Sequence, residues 1–159
     1  MVIFDFLIVS FLGLAFGSFA NVLALRIPQD QSILTYSKCP KCKSPIKYYD
    51  NIPLISYLVL NGKSRCCKKM ISFQYPAVEL TSALISILVF VKFGFNINTI
   101  LLFYFFLSLL IIFVSDLRFF IIPNEISYPL MIAGIAICFF NKNPVSNDIY
   151  DCIIAGTGS

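Results

Sequence analysis

Four cysteines in one polar segment carry the clearest chemical pattern in this sequence. Cys39 and Cys42 enclose a Cys-Pro-Lys-Cys stretch, and Cys66 and Cys67 follow later in the same segment. A C-x-x-C turn aims two thiolates at one ion, and two such pairs joined by a loop fit a tetrahedral zinc site. We therefore predict that Cys39, Cys42, Cys66 and Cys67 form a structural zinc site.

The second cysteine pair is irregular. Residues 64–67 read Ser-Arg-Cys-Cys, which resembles a C-x-x-C pair with serine in place of its first cysteine. Adjacent cysteines chelate one ion less well than a spaced pair, so two outcomes stay open: Cys66 supplies the missing ligand, or the site binds no zinc. Cys138 and Cys152 lie in apolar surroundings and are expected to be packing residues.

Two acidic residues lie in or beside apolar stretches, where an acid is costly unless it is paired or functional. Asp116 follows a long apolar run and is a candidate catalytic carboxylate; the alternative is a boundary charge neutralised by Arg118. An aspartic peptidase shares one proton between two carboxylates, so Asp116 would need a partner. Glu79 lies early in another apolar run; pairing with loop lysines or arginines is one interpretation, and a functional role is the alternative.

A third pattern is a face of small and polar residues in the first apolar stretch. Gly13, Gly17 and Ala20, with Ser18 and Asn21, recur at helical spacing. Such faces allow two helices to approach closely and to hydrogen-bond across their interface. We expect this face to pack against another helix.

The elements that hold these residues are set by an apolar composition. The chain has 159 residues, of which 58% are hydrophobic and 13% charged, and its mean hydropathy is +0.86. This excludes an ordinary soluble domain, a disordered chain and a disulfide-rich secreted module. The absence of histidine excludes a histidine base or ligand within this chain. We predict an all-α, polytopic transmembrane helix bundle.

Apolar runs predict four membrane spans and the start of a fifth, since a spanning helix needs about 20 residues. The predicted spans are Val2–Leu25, Ala77–Val91, Thr99–Ser115 and Ile126–Phe140, with Cys152 beginning the fifth. This divides the chain into a first transmembrane helix (1–25), a basic Cys-rich loop resembling a zinc knuckle (26–76) and a membrane domain (77–159).

Charge placement predicts the orientation. Nine of the twelve basic residues lie between Arg26 and Lys69. A basic block next to membrane spans favours a cytoplasmic loop, with the N-terminus outside. Nucleic-acid binding is the alternative for a basic block, and the flanking spans argue against it.

Several ordered motifs resemble the type IV prepilin peptidase family. They are Gly17-Ser-Phe-Ala-Asn-Val22 with Arg26-Ile-Pro28, Cys39-Pro-Lys-Cys42, Asp50-Asn-Ile-Pro-Leu-Ile-Ser56, Ile71-Ser-Phe-Gln-Tyr-Pro-Ala-Val-Glu-Leu80, and Asp116 with Ile122-Pro-Asn-Glu125. The resemblance implies a multi-pass aspartic endopeptidase of the bacterial inner membrane, which removes the leader of prepilin or pseudopilin precursors. Many members also N-methylate the new N-terminus with S-adenosylmethionine. By residue match, Asp116 would be one of two catalytic aspartates and the cysteine loop the zinc-associated part.

The family carries its second aspartate in a G-x-G-D motif. The chain ends Gly156-Thr-Gly-Ser159, which resembles this motif with serine in place of aspartate. The two aspartates must meet at the same inner face, but only one predicted span separates Asp116 from the outer loop at 141–151, so Gly156–Ser159 is expected near the outer face. The partner is therefore expected beyond Ser159, and the chain is expected to be an inactive fragment of a longer enzyme. The alternatives are a pseudoenzyme and a non-enzymatic membrane assembly protein with a structural cysteine loop. A metal transporter would need ligands within the spans, which are scarce here.

Overall fold

The computed structural model describes residues 2–39 and 41–140. Its α-helices are α1 (Val2–Arg26), α2 (Ile55–Val59), α3 (Gln74–Phe93), α4 (Ile97–Phe119) and α5 (Asn124–Phe140), with short 3₁₀ turns at Ile27–Gln29 and Tyr48–Asn51. Within the described ranges no β-strand is present, although isolated bridges join Lys38 to Pro45 and Lys63 to Met70. The predicted all-α class is confirmed for this part of the chain.

Three helical segments are long and apolar enough to cross a membrane: Ile3–Gln29, Gln74–Phe93 and Ile97–Phe119. They correspond to the first three predicted spans, so the chain is a multi-pass membrane protein. Helix α5 has 17 residues with Pro129 inside it, and at about 1.5 Å per residue it falls short of a hydrocarbon core of about 30 Å. The fourth span stays a prediction, and the fifth, with Cys152, lies outside the described residues.

The helices run past the predicted apolar stretches at the ends of α3 and α4. Backbone hydrogen bonding continues through polar residues at the membrane boundary, which hydropathy alone does not register. The Asn96 side chain accepts a hydrogen bond from the backbone N–H of Ile97 at 2.7 Å and so begins α4. Phe120, at φ 55°, ends it.

Helices α1 and α3 pack through the small-residue face, as predicted. A Cβ placed on Gly13 would lie 2.6 Å from the Cα of Ala83, and one on Gly17 would lie 2.7 Å from the Cα of Glu79. The Ser86 hydroxyl donates to the Val9 carbonyl at 3.1 Å across the same interface. Buried residues from α1, α3, α4 and α5 form the common core: Ala20, Ala24, Val78, Leu107, Ile111, Val114 and Ile126.

Candidate functional site

The loop between α1 and α3 contains two short hairpins with the same backbone pattern. In the first, Cys39 donates its N–H to the Ser44 carbonyl at 2.9 Å, and Lys43 donates to the Cys39 carbonyl at 2.8 Å. In the second, Ser64 donates to the Lys69 carbonyl at 2.8 Å, and Lys68 donates to the Ser64 carbonyl at 2.9 Å. Lys43 and Lys68 both have a positive φ, 58° and 56°.

This repeated pattern makes positions in the two hairpins equivalent. Ser64 takes the place that Cys39 has in the first hairpin, and Cys67 takes the place of Cys42. The interpretation of residues 64–67 as a C-x-x-C turn with serine at its first position therefore agrees with the backbone geometry. Cys66 is an additional thiol with no counterpart in the first hairpin.

The hairpins bring four sulfur atoms together. The Sγ atoms of Cys39, Cys42, Cys66 and Cys67 all lie within 4.8 Å of one another, and this group could hold a metal ion. Cys39 and Cys67 are 3.8 Å apart, whereas Cys42 and Cys66 are 2.9 Å apart. Four thiolates at about 2.3 Å from a tetrahedral zinc are separated by about 3.8 Å. Binding of all four sulfurs therefore requires Cys42 and Cys66 to move apart.

Ser64 interacts with the thiols from the position of the missing cysteine. Its Oγ lies 3.4 Å from Cys39 Sγ and 3.0 Å from Cys66 Sγ. The Ser64 hydroxyl and the backbone N–H of Cys42 lower the pKa of Cys39 to about 6. Hydrogen bonding from Cys42 lowers the pKa of Cys66, and the same contact raises the pKa of Cys42. These contacts favour the thiolate, the form that binds metal, at Cys39 and Cys66.

Asp116 lies near the end of α4, on the side of the cysteine loop, and its side chain is exposed. Its carbonyl accepts a hydrogen bond from the Phe120 N–H at 2.9 Å, which closes the last helical turn. The buried Ser115 hydroxyl donates to the Ile121 carbonyl at 2.8 Å and holds the chain as it turns towards α5. The carboxylate is therefore exposed at a helix end whose backbone is held by these two hydrogen bonds.

Arg118 does not neutralise Asp116. Its guanidinium donates to the Gln74 Oε1 and, at 3.2 Å, to the Ser72 Oγ, both at the beginning of α3. The proximity of Arg118 and Asp116 in the sequence suggested a pair, but the Arg118 side chain bonds to the beginning of α3 instead. The Asp116 side chain is exposed and forms no ion pair with Arg118.

Glu79 belongs to α3 and is buried where this helix packs against α1. Its hydrogen-bond partner is a backbone group of the loop. Its Oε2 accepts a hydrogen bond from the Leu54 N–H at 2.7 Å, and Ser18 on α1 also hydrogen-bonds to it. Leu54 has φ 58° and ψ −46°, a strained backbone for a residue with a side chain. The expectation of a lysine or arginine partner was wrong because the nearest donor is this N–H.

A second contact ties the loop together. Arg65, between the two halves of the second hairpin, makes a bidentate ion pair with Asp50, with Nη2 to Oδ1 at 2.8 Å. Asp50 belongs to the same Asp50–Ser56 motif as Leu54. The second hairpin is thus connected to this motif, and the motif to α3.

No spacing in the sequence signalled the roles of Leu54, Gln74 and Ser72, because their partners lie 25 to 46 residues away.

The amino-acid sequence of the chain is similar to those of known proteins. Residues 11–93, just over half of the chain, match the model of the bacterial peptidase A24 N-terminal domain. The chain is similar to the prepilin leader peptidase/N-methyltransferase of Myxococcus xanthus, at 39% identity over 129 residues, which is 80% of this chain and 38% of the relative. It is also similar to the proteins of that name from Vibrio cholerae (33% over 144 residues; 85% and 56%) and Bacillus subtilis (36% over 115 residues; 72% and 46%).

The chain therefore spans between about two fifths and somewhat more than half of the length of these curated relatives. No solved structure matches it.

Proposed function

The chain belongs to the bacterial A24 peptidase family, and on that premise we propose that its protein is an aspartic endopeptidase that cleaves the leader from prepilin or pseudopilin precursors. The observation that carries the proposal is Asp116: an exposed, unneutralised carboxylate at the end of a membrane helix. The family match and the names of the relatives support the reaction class. Asp116 alone cannot complete this chemistry, because an aspartic peptidase uses two carboxylates that share one proton.

In the proposed mechanism, the ionised carboxylate takes a proton from water as the water attacks the scissile carbonyl. The protonated carboxylate donates a hydrogen bond to the carbonyl oxygen, and the proton then reaches the departing amine. We assign one of these roles to Asp116 and place its partner outside the described residues. Because Arg118 is bonded to α3, it forms no ion pair with Asp116.

The proposal includes a location. Helices α3 and α4 are antiparallel, so the cysteine loop and Asp116 lie on the same side of the membrane. The excess of basic residues in the loop favours the cytoplasmic side of the bacterial inner membrane, with the N-terminus outside. A precursor whose apolar helix lies in the bilayer would then present its leader at the level of Asp116.

The names of the relatives also support N-methylation of the new N-terminus, for which S-adenosylmethionine would supply the methyl group.

Cleavage and methylation are tested together by mass spectrometry. The protein is purified in detergent as it is expressed in its bacterium and is incubated with a precursor that has a short leader ahead of an apolar helix. We expect loss of the leader. If the protein also methylates the new N-terminus, the product should gain about 14 Da, the mass of one CH₂ group. An intact precursor under conditions where a relative cleaves it would contradict the proposal and favour a membrane assembly protein.

We further propose that the two hairpins hold one structural zinc ion. Cys39, Cys42 and Cys67 are supplied by equivalent hairpin positions, and Cys66 provides the thiolate that Ser64 cannot. The donor set fits, because soft thiolates held by C-x-x-C turns are preferred zinc ligands. When bound, the zinc would cross-link the hairpins and so stabilise the loop fold.

We predict that the purified chain contains about one zinc per molecule by elemental analysis. Cys39→Ser should reduce the zinc content to near zero, because it removes the thiolate of the only complete C-x-x-C turn. Ser64→Cys should retain zinc and bind it more tightly, since it restores a second regular turn. Lys63→Gln, a neighbouring change that leaves the thiols intact, is the matched control. Equal zinc content in Cys39→Ser and the unchanged chain would disprove the site.

A further inference from the structure

A cleft between α3 and α4 combines an apolar wall with a cation at one end. It has a volume of about 320 Å³, and the residues that line it are Gln74, Ala77, Val78, Thr81, Leu110, Phe113, Val114, Leu117 and Arg118. Because the two helices are antiparallel, Gln74 and Arg118 lie together at the loop end. The apolar residues extend from there towards the middle of the helices.

The polar groups at the loop end suit an anion. Arg118 donates to Gln74 and Ser72, and both acceptors are neutral oxygens, so these contacts do not cancel the charge of the guanidinium. The Gln74 Nε2 is a buried donor without a hydrogen-bond partner among the described residues. One fixed cation and one unused N–H donor thus meet at the level where a membrane helix leaves the hydrocarbon.

Away from the loop end the cleft is lined by apolar side chains and by Thr81, whose hydroxyl is already hydrogen-bonded. The Thr81 hydroxyl donates to the Ala77 carbonyl at 2.8 Å, so Thr81 has no unpaired hydroxyl hydrogen to offer a ligand. The volume of about 320 Å³ is enough for a stretch of one acyl chain lying along these apolar side chains.

From the charge at one end and the size and apolarity of the rest, we propose that the α3–α4 cleft binds an anionic phospholipid of the leaflet on the loop side. Its phosphate accepts hydrogen bonds from Arg118 and Gln74, and one acyl chain lies along Phe113, Val114 and Leu117. Basic pockets between membrane helices are known to favour such headgroups. This site is independent of the proposed peptidase activity, since it uses neither Asp116 nor the cysteines.

Native mass spectrometry of the purified chain in detergent tests this site, with phosphatidylglycerol and phosphatidylcholine as the two probes. Arg118→Gln should weaken phosphatidylglycerol binding about fivefold, since it removes one interfacial charge. It should weaken phosphatidylcholine binding less, because the choline cation already neutralises that lipid's phosphate. Arg118→Lys should retain most of the binding. Lys92→Gln, at the opposite end of α3, is the matched control and should have no effect.

The apolar part is tested separately by Thr81→Phe, an exposed position where a ring would fill the cleft. This variant should lower the binding of both lipids, and it decides the question if Arg118→Gln does not fold. The proposal is overturned if Arg118→Gln binds phosphatidylglycerol as well as the unchanged chain does, or if Lys92→Gln loses as much. Photo-crosslinking from position 113 to a precursor helix, and not to lipid, would also overturn it.

Discussion

Replacing Asp116 with asparagine is expected to reduce precursor cleavage by roughly 10³-fold or more in the protein as it is expressed in its bacterium. Asparagine has nearly the same shape, but it cannot take a proton from water or exist as the acid that polarises the carbonyl. The side chain is exposed and Arg118 is bonded elsewhere, so the substitution should leave the helix packing intact. The measurement is the initial rate of leader removal by mass spectrometry.

Asp30→Asn provides the control for this experiment. Asp30 is also exposed and lies in the loop at a positive φ of 53°, which asparagine adopts readily. It should cleave the precursor at the unchanged rate. If Asp116→Asn retained that rate as well, Asp116 would be a boundary charge, and the catalytic carboxylates would have to be sought elsewhere.

Substitution of Gly17 is expected to disrupt the α1–α3 interface. A Cβ at this position would lie 2.7 Å from the backbone Cα of Glu79 and 2.9 Å from the Cβ of Ser82, and a backbone atom cannot move aside as a flexible side chain can. Gly17→Ala should therefore lower the free energy of unfolding by about 1–3 kcal/mol, and Gly17→Leu should separate the helices. Thermal unfolding in detergent, followed by circular dichroism, gives the Tm of each variant.

Gly134→Ala is the matched control for Gly17→Ala. A Cβ on Gly134, in α5, meets no atom of the described residues within 4 Å, so alanine should be tolerated there and should favour the helix slightly. An equal loss of stability in the two variants would mean that the general cost of changing a helical glycine dominates, and not the close approach of α1 and α3.

Sequence patterns were most informative where one helix determines the answer. Gly13 and Gly17 indicated a contact face because helical periodicity places them together, and long apolar runs located α1, α3 and α4. The partners of Glu79 and Arg118 could not be predicted in this way. Each bonds to a group far along the chain, on an element whose position depends on the folded loop. The cysteines form an intermediate case, because local spacing indicates each hairpin but not their mutual approach.

The hairpins themselves also show what pattern alone cannot supply. The sequence indicates that serine replaces a cysteine at position 64, but the equivalence of Ser64 with Cys39 rests on matching backbone hydrogen bonds. Likewise, the sequence left open whether Cys66 approaches the other thiols. That approach depends on how the second hairpin folds back on the first, a long-range packing outcome.

The contacts from Arg65 to Asp50 and from Leu54 to Glu79 connect the second hairpin to the membrane helix α3. Helix α1 has 25 residues, about 37 Å of helix, which exceeds a hydrocarbon core of about 30 Å and favours tilting. Because the glycine face joins α1 to α3, the two helices tilt together. The Glu79 carboxylate on α3 is bonded to Leu54, and Asp50 in the same motif is paired with Arg65, so the second hairpin would move together with α3. A thinner membrane would thus swing the thiol cluster relative to the lipid surface.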